Sequence, residues 1–317
     1  MKIYLAGERS ATATITQIED KIGTTARIWV DGVKRRLFSY FYHGFPGGGT
    51  FEKGPNGISA AVNDGLERGW DLFLDSGAFT AFTKKKVIPV EVYAKYVRWS
   101  DRVWTTCSSL DAIGSGEEAG QKSYNNFMQL KELGARVQPV FHVREPDHWL
   151  QRYIDEGHDY IFIGGMVPET TRWLKQRLDS LWSSILTNQN GTPKVKTHGF
   201  GLTDQQLMFR YPWHSVDSSS WLMTGIFGSC LFRHGTKLQK VVFSEESPEA
   251  RKAKGWHYNN LPREEREVVD NWLAPYGVTA EQCASHYSYR DVINAAVFQS
   301  LEDMGTDRFI LEQPTFF

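Results

Sequence analysis

Residues 147–185 read DHWLQRYIDEGHDYIFIGGMVPETTRWLKQRLDSLWSSI. At its centre, Tyr160-Ile-Phe-Ile163 is a short run of β-formers stopped by Gly164-Gly165. Before it, Leu150 and Ile154 fall on one helical face with Asp147 placed to cap the helix; after it, Leu174, Leu178, Leu181 and Ile185 fall on another. Helix, buried strand and helix at this spacing make the repeat of a parallel α/β fold. Outward from this stretch the alternation continues, with strands expected near Ile3–Ala6, Phe38–Tyr42, Leu72–Asp75, Arg102–Thr106, Arg136–Val143, Val195–Gly199 and His214–Asp217. With the Tyr160 run these make eight, so the expected fold class is α/β, a (β/α)8 TIM-like barrel.

The rhythm weakens after Trp221. A mixed, charged segment follows over Arg233–Trp256, then helices are expected near Arg263–Tyr276 and Tyr289–Asp303. Residues 1–222 are therefore read as the barrel, and residues 223–317 as a small C-terminal extension that completes it and could contact nucleic acid. Phe45-Pro-Gly-Gly-Gly-Thr50 and Gly114–Gly120 read as loops that could act as lids or binding loops.

The 317 residues are 41% hydrophobic and 23% charged, enough apolar matter for a sizeable core and too much for disorder. Lys plus Arg number 36 against 37 for Asp plus Glu, so no whole-chain field draws the protein to nucleic acid or membrane, and any such surface must be local. No apolar run reaches the ~18 residues of a membrane span, and the start MKIYLAGERS lacks a signal-peptide core, so a cytoplasmic protein without a membrane partner is expected. Cys107, Cys230 and Cys283, odd in number and far apart, fit a reducing compartment.

In a barrel of this kind chemistry gathers where strands end at their carboxyl side. Asp75 ends one strand, Asp111 follows the next, His142 ends a third, and Gly164-Gly165-Met166 a fourth; His198 and Asp217 end the last two. Any one aspartate could merely cap a helix or a turn. For three together that reading is less apt, and two separated carboxylates suit displacement at an anomeric carbon, where one attacks to form a covalent glycosyl-enzyme and the other moves protons. Gly164-Gly165 would let a flat ligand approach the backbone, and Phe79 would offer a ring face, so sugar or base chemistry is as far as the residues alone carry.

At these residues the chain resembles the queuine/archaeosine tRNA-guanine transglycosylase superfamily. The resemblance runs through roughly residues 70–222, in Leu74-Asp75-Ser-Gly-Ala-Phe79, Ile163-Gly164-Gly165-Met166, and His198-Gly-Phe-Gly201 followed by Ser215-Val-Asp217. It implies that Asp217 is the nucleophile and Asp75 the proton shuttle, a pentosyltransferase mechanism that needs no redox or metal cofactor. It implies that Asp111 reads the guanine edge, that Gly164, Gly165 and Met166 meet the base, and that Phe79 and His198 sandwich it, His198 replacing the family's methionine. For the family's base-reading glutamine, Gln138 fits ungapped counting and His142 fits the strand end; His142 is favoured because site residues belong at the carboxyl end.

The departures steer the choice of partner. The family's RNA-binding zinc subdomain uses a tight Cys-x-Cys-x-x-Cys with a later His, a cluster missing from this sequence. Cys230, His257, Cys283 and His286 could form a tetrahedral set, but a lone Cys-x-x-His is a weak signal, and no structural zinc is expected. The chain is also short for a tRNA enzyme. Both features resemble the phage-type DNA-guanine transglycosylases, which implies DNA and a free 7-deazaguanine as partners, tRNA as the alternative, and the host cytoplasm as location; a homodimer is left open. The other classes are a non-catalytic base- or nucleic-acid-binding barrel and a hydrolase that leaves abasic sites. Lys84, Lys85 and Lys86 are the expected nucleic-acid contacts, with Lys34-Arg35-Arg36 and Arg251–Lys254 as further basic groups that could meet phosphates.

Overall fold

The computed structural model describes residues 1–7, 33–46, 48, 57–202, 204–234, 237–247, 250 and 256–304. Its first compact unit takes in Met1–Ala6 and Arg35–Ser218. Eight parallel strands run through it: β1 (Lys2–Ala6), β2 (Arg35–Ser39), β3 (Asp71–Asp75), β4 (Thr106–Cys107), β5 (Val140–His142), β6 (Tyr160–Gly164), β7 (Lys196–Gly199) and β8 (Ser215–Ser218). Helices alternate with them. α1 (Tyr40–His43) and α2 (Ala60–Glu67) follow β2, α3 (Ala78–Thr83) and α4 (Val90–Trp99) follow β3, and α5 (Gly116–Glu132) follows β4. α6 (Asp147–Asp155), α7 (Thr171–Leu181) and α8 (Gln205–Arg210) follow β5, β6 and β7 in turn.

The sheet order is β4-β3-β2-β1-β8-β7-β6-β5, and β1 lies parallel to both β2 and β8. Four strands separate β3 from β6 in that order, yet the ring of Phe73 on β3 lies 4.9 Å from that of Phe162 on β6. The sheet has therefore curled until its concave side chains meet. Tyr4, Leu37, Phe73, Val140 and Phe162 fill this interior, each such burial worth roughly 1.5–3 kcal/mol for a large apolar side chain. A ladder between β4 and β5 does not form. One bridge, Ser108 to Gln138, spans them, with Ser109 N–H on Gln138 O at 2.8 Å and Gln138 N–H on Cys107 O at 2.9 Å. The expected strand at Arg102–Thr106 shrinks to two residues because Val103 N–H turns back to Ser100 O, which leaves β4 too short to pair further. Strand number, direction and alternation are those expected; ladder closure is not.

Local chemistry accounts for the helices. Thr170 caps α7 through the Trp173 amide at 3.3 Å, and Leu174, Leu178 and Leu181 bury as spaced, with Ile185 in a π-helical turn over Trp182–Leu186. In α6 the buried face is Trp149, Leu150 and Tyr153, leaving Ile154 at its margin. Asp147 does not cap α6; Pro146 holds that position, and Asp147 pairs instead with Arg177. At the amino-terminal end of the strands Asp71 accepts from Lys2 Nζ at 3.0 Å and Tyr4 Oη at 2.9 Å.

The second unit holds Ser219–Met304, and Lys34 joins it through its amide on Gln299 Oε1 at 3.3 Å. The division falls at Ser218, four residues before the expected 222. Here α9 (Ser220–Ile226) is followed by an antiparallel hairpin, β9 (Ser229–His234) with β10 (Lys237–Val242), where the sequence showed only mixed charge. Then come α10 (Arg263–Leu273), α11 (Ala280–Ser285), opened by a Thr279–Gln282 capping box, and the almost wholly buried α12 (Tyr287–Gln299). No helix among the described residues is long and apolar enough to cross a membrane.

Candidate functional site

Asp75 closes β3, and the chain then turns sharply into α3. Its Oδ2 accepts the Gly77 amide at 3.0 Å. Gly77 has φ +73°, and a Cβ there would stand 2.5 Å from Phe41 Cβ and 2.8 Å from the Phe41 nitrogen, so glycine is required on both counts. Burial pushes the Asp75 carboxyl up, and the charges of Asp111 and Asp217 push it further, to about 7, against the opposing Gly77 and Ser76 amides. Three carboxyl groups within electrostatic reach of one another are thus drawn from β3, the segment after β4, and β8.

Asp111 is held from two sides. Ser76 Oγ–H donates to its Oδ1 at 3.2 Å, and His142 Nε2, at the end of β5, lies 2.8 Å from its Oδ2. Burial alone would depress the His142 imidazole, but the hydrogen bond and charge of Asp111, with the nearby Glu145 carboxyl, carry it above the ordinary value. His142 leans on the Gly164-Gly165 turn: a Cβ on Gly164 would be 2.9 Å from His142 Cδ2, and one on Gly165, at φ +70°, 3.0 Å from His142 Cβ. These glycines therefore make room for the histidine ring itself. Met166 beside them is buried. Gln138 enters β5 from the other end with its backbone in the Ser108 bridge, so it is His142 that stands against Asp111. Glu145, buried behind His142, is pushed up to about 7 by desolvation, and its Oε2 has no hydrogen-bond partner.

Asp217 lies on β8, and one of its oxygens is fully engaged. Oδ1 accepts the Gly201 amide at 2.9 Å and faces His198 Nε2 at 3.2 Å. Beyond it the string continues: His198 Nδ1 to Ser215 Oγ at 2.6 Å, and Ser215 Oγ to Tyr160 Oη. A carboxylate only accepts, and burial lowers the His198 pKa so that the ring is neutral; Nε2 then carries the proton and Nδ1 accepts from Ser215, which accepts from Tyr160. All three hydrogens point toward Asp217. Serine, histidine and aspartate in a row resemble a hydrolase triad, but Ser215 is fully buried with its oxygen spent on two partners, so it is no nucleophile here. The string ends on the Asp217 carboxyl, itself buried at 6% exposure.

The stacking pair expected of Phe79 and His198 is corrected. Phe79 is 54% exposed on α3, whereas His198 is 0% exposed, its ring among Phe73 at 4.6 Å, Phe200 at 4.8 Å and Phe162 at 5.2 Å. A ring with no free face cannot sandwich a base. Of the residues given no role by the sequence reading, Ser76, Gly201 and Ser215 hydrogen-bond the expected aspartates and histidine, and Tyr160 reaches them through Ser215. Ser76, Gly201 and Ser215 stand inside the quoted motifs beside Asp75, His198 and Asp217, whereas nothing in the sequence singled out Tyr160 as a hydrogen-bonding group.

The basic groups separate. Lys84, Lys85 and Lys86 end α3, with Lys85 N–H on Phe82 O at 3.0 Å and Lys86 N–H on Ala81 O at 2.8 Å, the paired bonds of a Schellman ending. Lys85 adopts φ +53° where glycine is usual. Lys84 Nζ stands 5.9 Å from the centre of the Tyr42 ring. Lys34-Arg35-Arg36 is not a surface patch: Arg36 is 2% exposed with Nε on Leu5 O, and Arg35 lies 3.5 Å from Asp71, at the end of the strands away from the aspartates. Arg251–Lys254 lies outside the described residues, as does part of the 45–50 loop.

In the second unit, Cys230 and Cys283 are buried with sulfurs 3.8 Å apart. His257 Nδ1 instead accepts the Asn259 amide and His286 Nδ1 the Ser288 amide, so the four do not gather into a metal site, and among the described residues no group of three or more His, Cys, Asp or Glu is placed to hold one. The chain matches no protein-family model, and a search of curated proteins finds no match.

Proposed function

We propose that the protein is a guanine transglycosylase, built on a TIM-like barrel, that exchanges guanine in DNA for a free 7-deazaguanine. The observation that supports this most is the Asp75 carboxyl, drawn to about 7 by burial and by Asp111 and Asp217. A group near neutrality can give a proton to one base and take one from the next. Asp217, with Oδ1 held by Gly201 and His198, attacks C1′ through its other oxygen as the C1′–N9 bond to guanine breaks, and the leaving base takes the proton of Asp75. The incoming base then loses its N9 proton to Asp75 and attacks C1′, the C1′–Asp217 bond breaks, and two inversions return the original configuration.

Asp111, oriented by Ser76 and His142, suits the donor edge of guanine, and the Gly164-Gly165-Met166 backbone lies beside it. Phe79 supplies the one exposed ring of the expected pair, and His198 serves Asp217 rather than the base. The choice of DNA over tRNA is supported by the missing tight cysteine cluster and by the exposed lysines after α3, which can track phosphates. The base must leave the stack for Asp217 to reach its sugar. The deciding experiment follows labelled guanine into and out of DNA and tRNA in the presence of several 7-deazaguanines. Release into DNA-bound replacement supports the reading; exchange confined to folded tRNA replaces DNA by tRNA, binding without exchange reduces the protein to a base-binding module, and abasic product makes it a hydrolase.

A further inference from the structure

A cleft of about 630 Å³ opens beside Asp111, between the end of α3 with its following turn and the segment after β4. Phe82, Val87 and Ile113 give it apolar surface, Lys86 and Lys122 give it cations, and Asp111 is part of its lining. Phe82 is 60% and Val87 81% exposed, an unusual investment of apolar surface in solvent for residues so near a polar rim. Phe79 and Phe82 stand one helical turn apart on α3, so both exposed rings belong to one face. Of the anions lining the cleft, Asp111 is already engaged by His142 and Ser76, and Glu118 shares the lining with Lys86 and Lys122. Exposed rings interleaved with lysines match an unstacked nucleotide, whose base seeks a π-face while its phosphate seeks a cation.

We propose that this cleft seats the nucleotide adjacent to the exchanged guanosine, its base on Phe82 and its phosphate between Lys86 and Lys122. The proposal rests on the reading of Asp111 as the guanine-binding residue, because that residue lines the cleft. Drawing one nucleoside out of the stack leaves its neighbour without a stacking partner, and the Phe82 ring replaces that partner. The left-handed Lys85 fits the same picture: the α3 ending keeps a lysine at a position where glycine is easier, and three cations follow the aromatic face directly.

The test uses the full chain and short single-stranded oligonucleotides, deoxy and ribo, carrying 2-aminopurine next to one guanine. Phe82→Ala is expected to weaken oligonucleotide binding about 5- to 100-fold and to abolish the change in 2-aminopurine fluorescence, with the affinity for free guanine unchanged by calorimetry. Lys86→Gln and Lys122→Gln are each expected to flatten the slope of log affinity against log salt by about 0.7. The deoxy and ribo arms decide which polynucleotide the cleft prefers. Parent-like affinity and fluorescence in Phe82→Ala overturn the cleft while leaving an exchange activity intact. A parent that exchanges no base, but whose oligonucleotide binding falls with Phe82→Ala, overturns the exchange reading and supports the cleft as a nucleotide site. A parent that binds free guanine but no oligonucleotide of either kind overturns the cleft.

Discussion

His198 Nε2 lies 3.2 Å from Asp217 Oδ1, and the imidazole that makes this contact is wholly buried among Phe73, Phe162 and Phe200. Apolar walls keep the ring neutral, and Ser215 with Tyr160 fixes which nitrogen carries the proton. The Asp217 carboxyl is thereby held with one oxygen committed and in one orientation.

Asp217→Asn should abolish both base exchange and a denaturation-resistant polynucleotide adduct, while guanine binding persists. Ser215→Ala keeps Asp217 but leaves His198 Nδ1 without its donor. It should cost about 1–3 kcal/mol of stability and lower kcat with KM little changed, because a mis-set tautomer harms the transition state more than binding. Kinetics and denaturant titration of the two variants check this; an Asn variant of full activity sinks the nucleophile assignment.

Asp75 holds its proton more tightly folded than unfolded, since its folded pKa of about 7 exceeds the ordinary 3.8. Its contribution to stability is therefore complete below about pH 4 and is lost as pH rises through 7. Asp75→Asn should flatten the decline of Tm between those limits and make the variant relatively more stable at pH 8, at the expense of exchange. Thermal melts across pH 4–8 measure it, and parallel parent and variant curves would contradict the assigned environment.

Asp111→Asn removes the charge that raises His142. The imidazole titration, followed by its Cε1–H resonance, should move to lower pH, since burial then acts with less opposition. Because His142 is raised, the stability it draws from Asp111 is present below pH 6.5 and fades as pH climbs past its folded pKa. Asp111→Ala should also weaken guanine binding by about 1–3 kcal/mol, read by calorimetry; an unchanged affinity takes Asp111 out of the pocket.

Lys85 occupies a left-handed position at φ +53°. Lys85→Gly should raise stability by about 1 kcal/mol in denaturant unfolding, the relief of backbone strain exceeding the added freedom of the unfolded chain. Reversing the charge of Lys84, Lys85 and Lys86 together should weaken DNA binding and flatten its salt dependence. A slope that does not change would place the strand elsewhere.

The sequence by itself determined the α/β alternation, the eight parallel strands, the positions of Asp75, His142 and Asp217 at or beside strand ends, and that of Asp111 in the segment after a strand. Those features are local: a buried strand is a short β-branched or aromatic run, and a polar residue that stops it marks its end. Only tertiary structure decided which way the side chains of those strands face. β7 has four residues, three of them buried, so alternation carries no sign of whether His198 looks to a ligand or into the aromatic interior. Likewise Lys34, Arg35 and Arg36 look like one basic patch in the chain, but β2 begins among them, directing Arg36 to Leu5 and Arg35 to Asp71. Contacts between distant segments had no local trace at all: the Tyr160–Ser215–His198 string and the Ser108–Gln138 bridge join residues 55, 17 and 30 positions apart, brought together only because the sheet curls to bury Phe73 against Phe162.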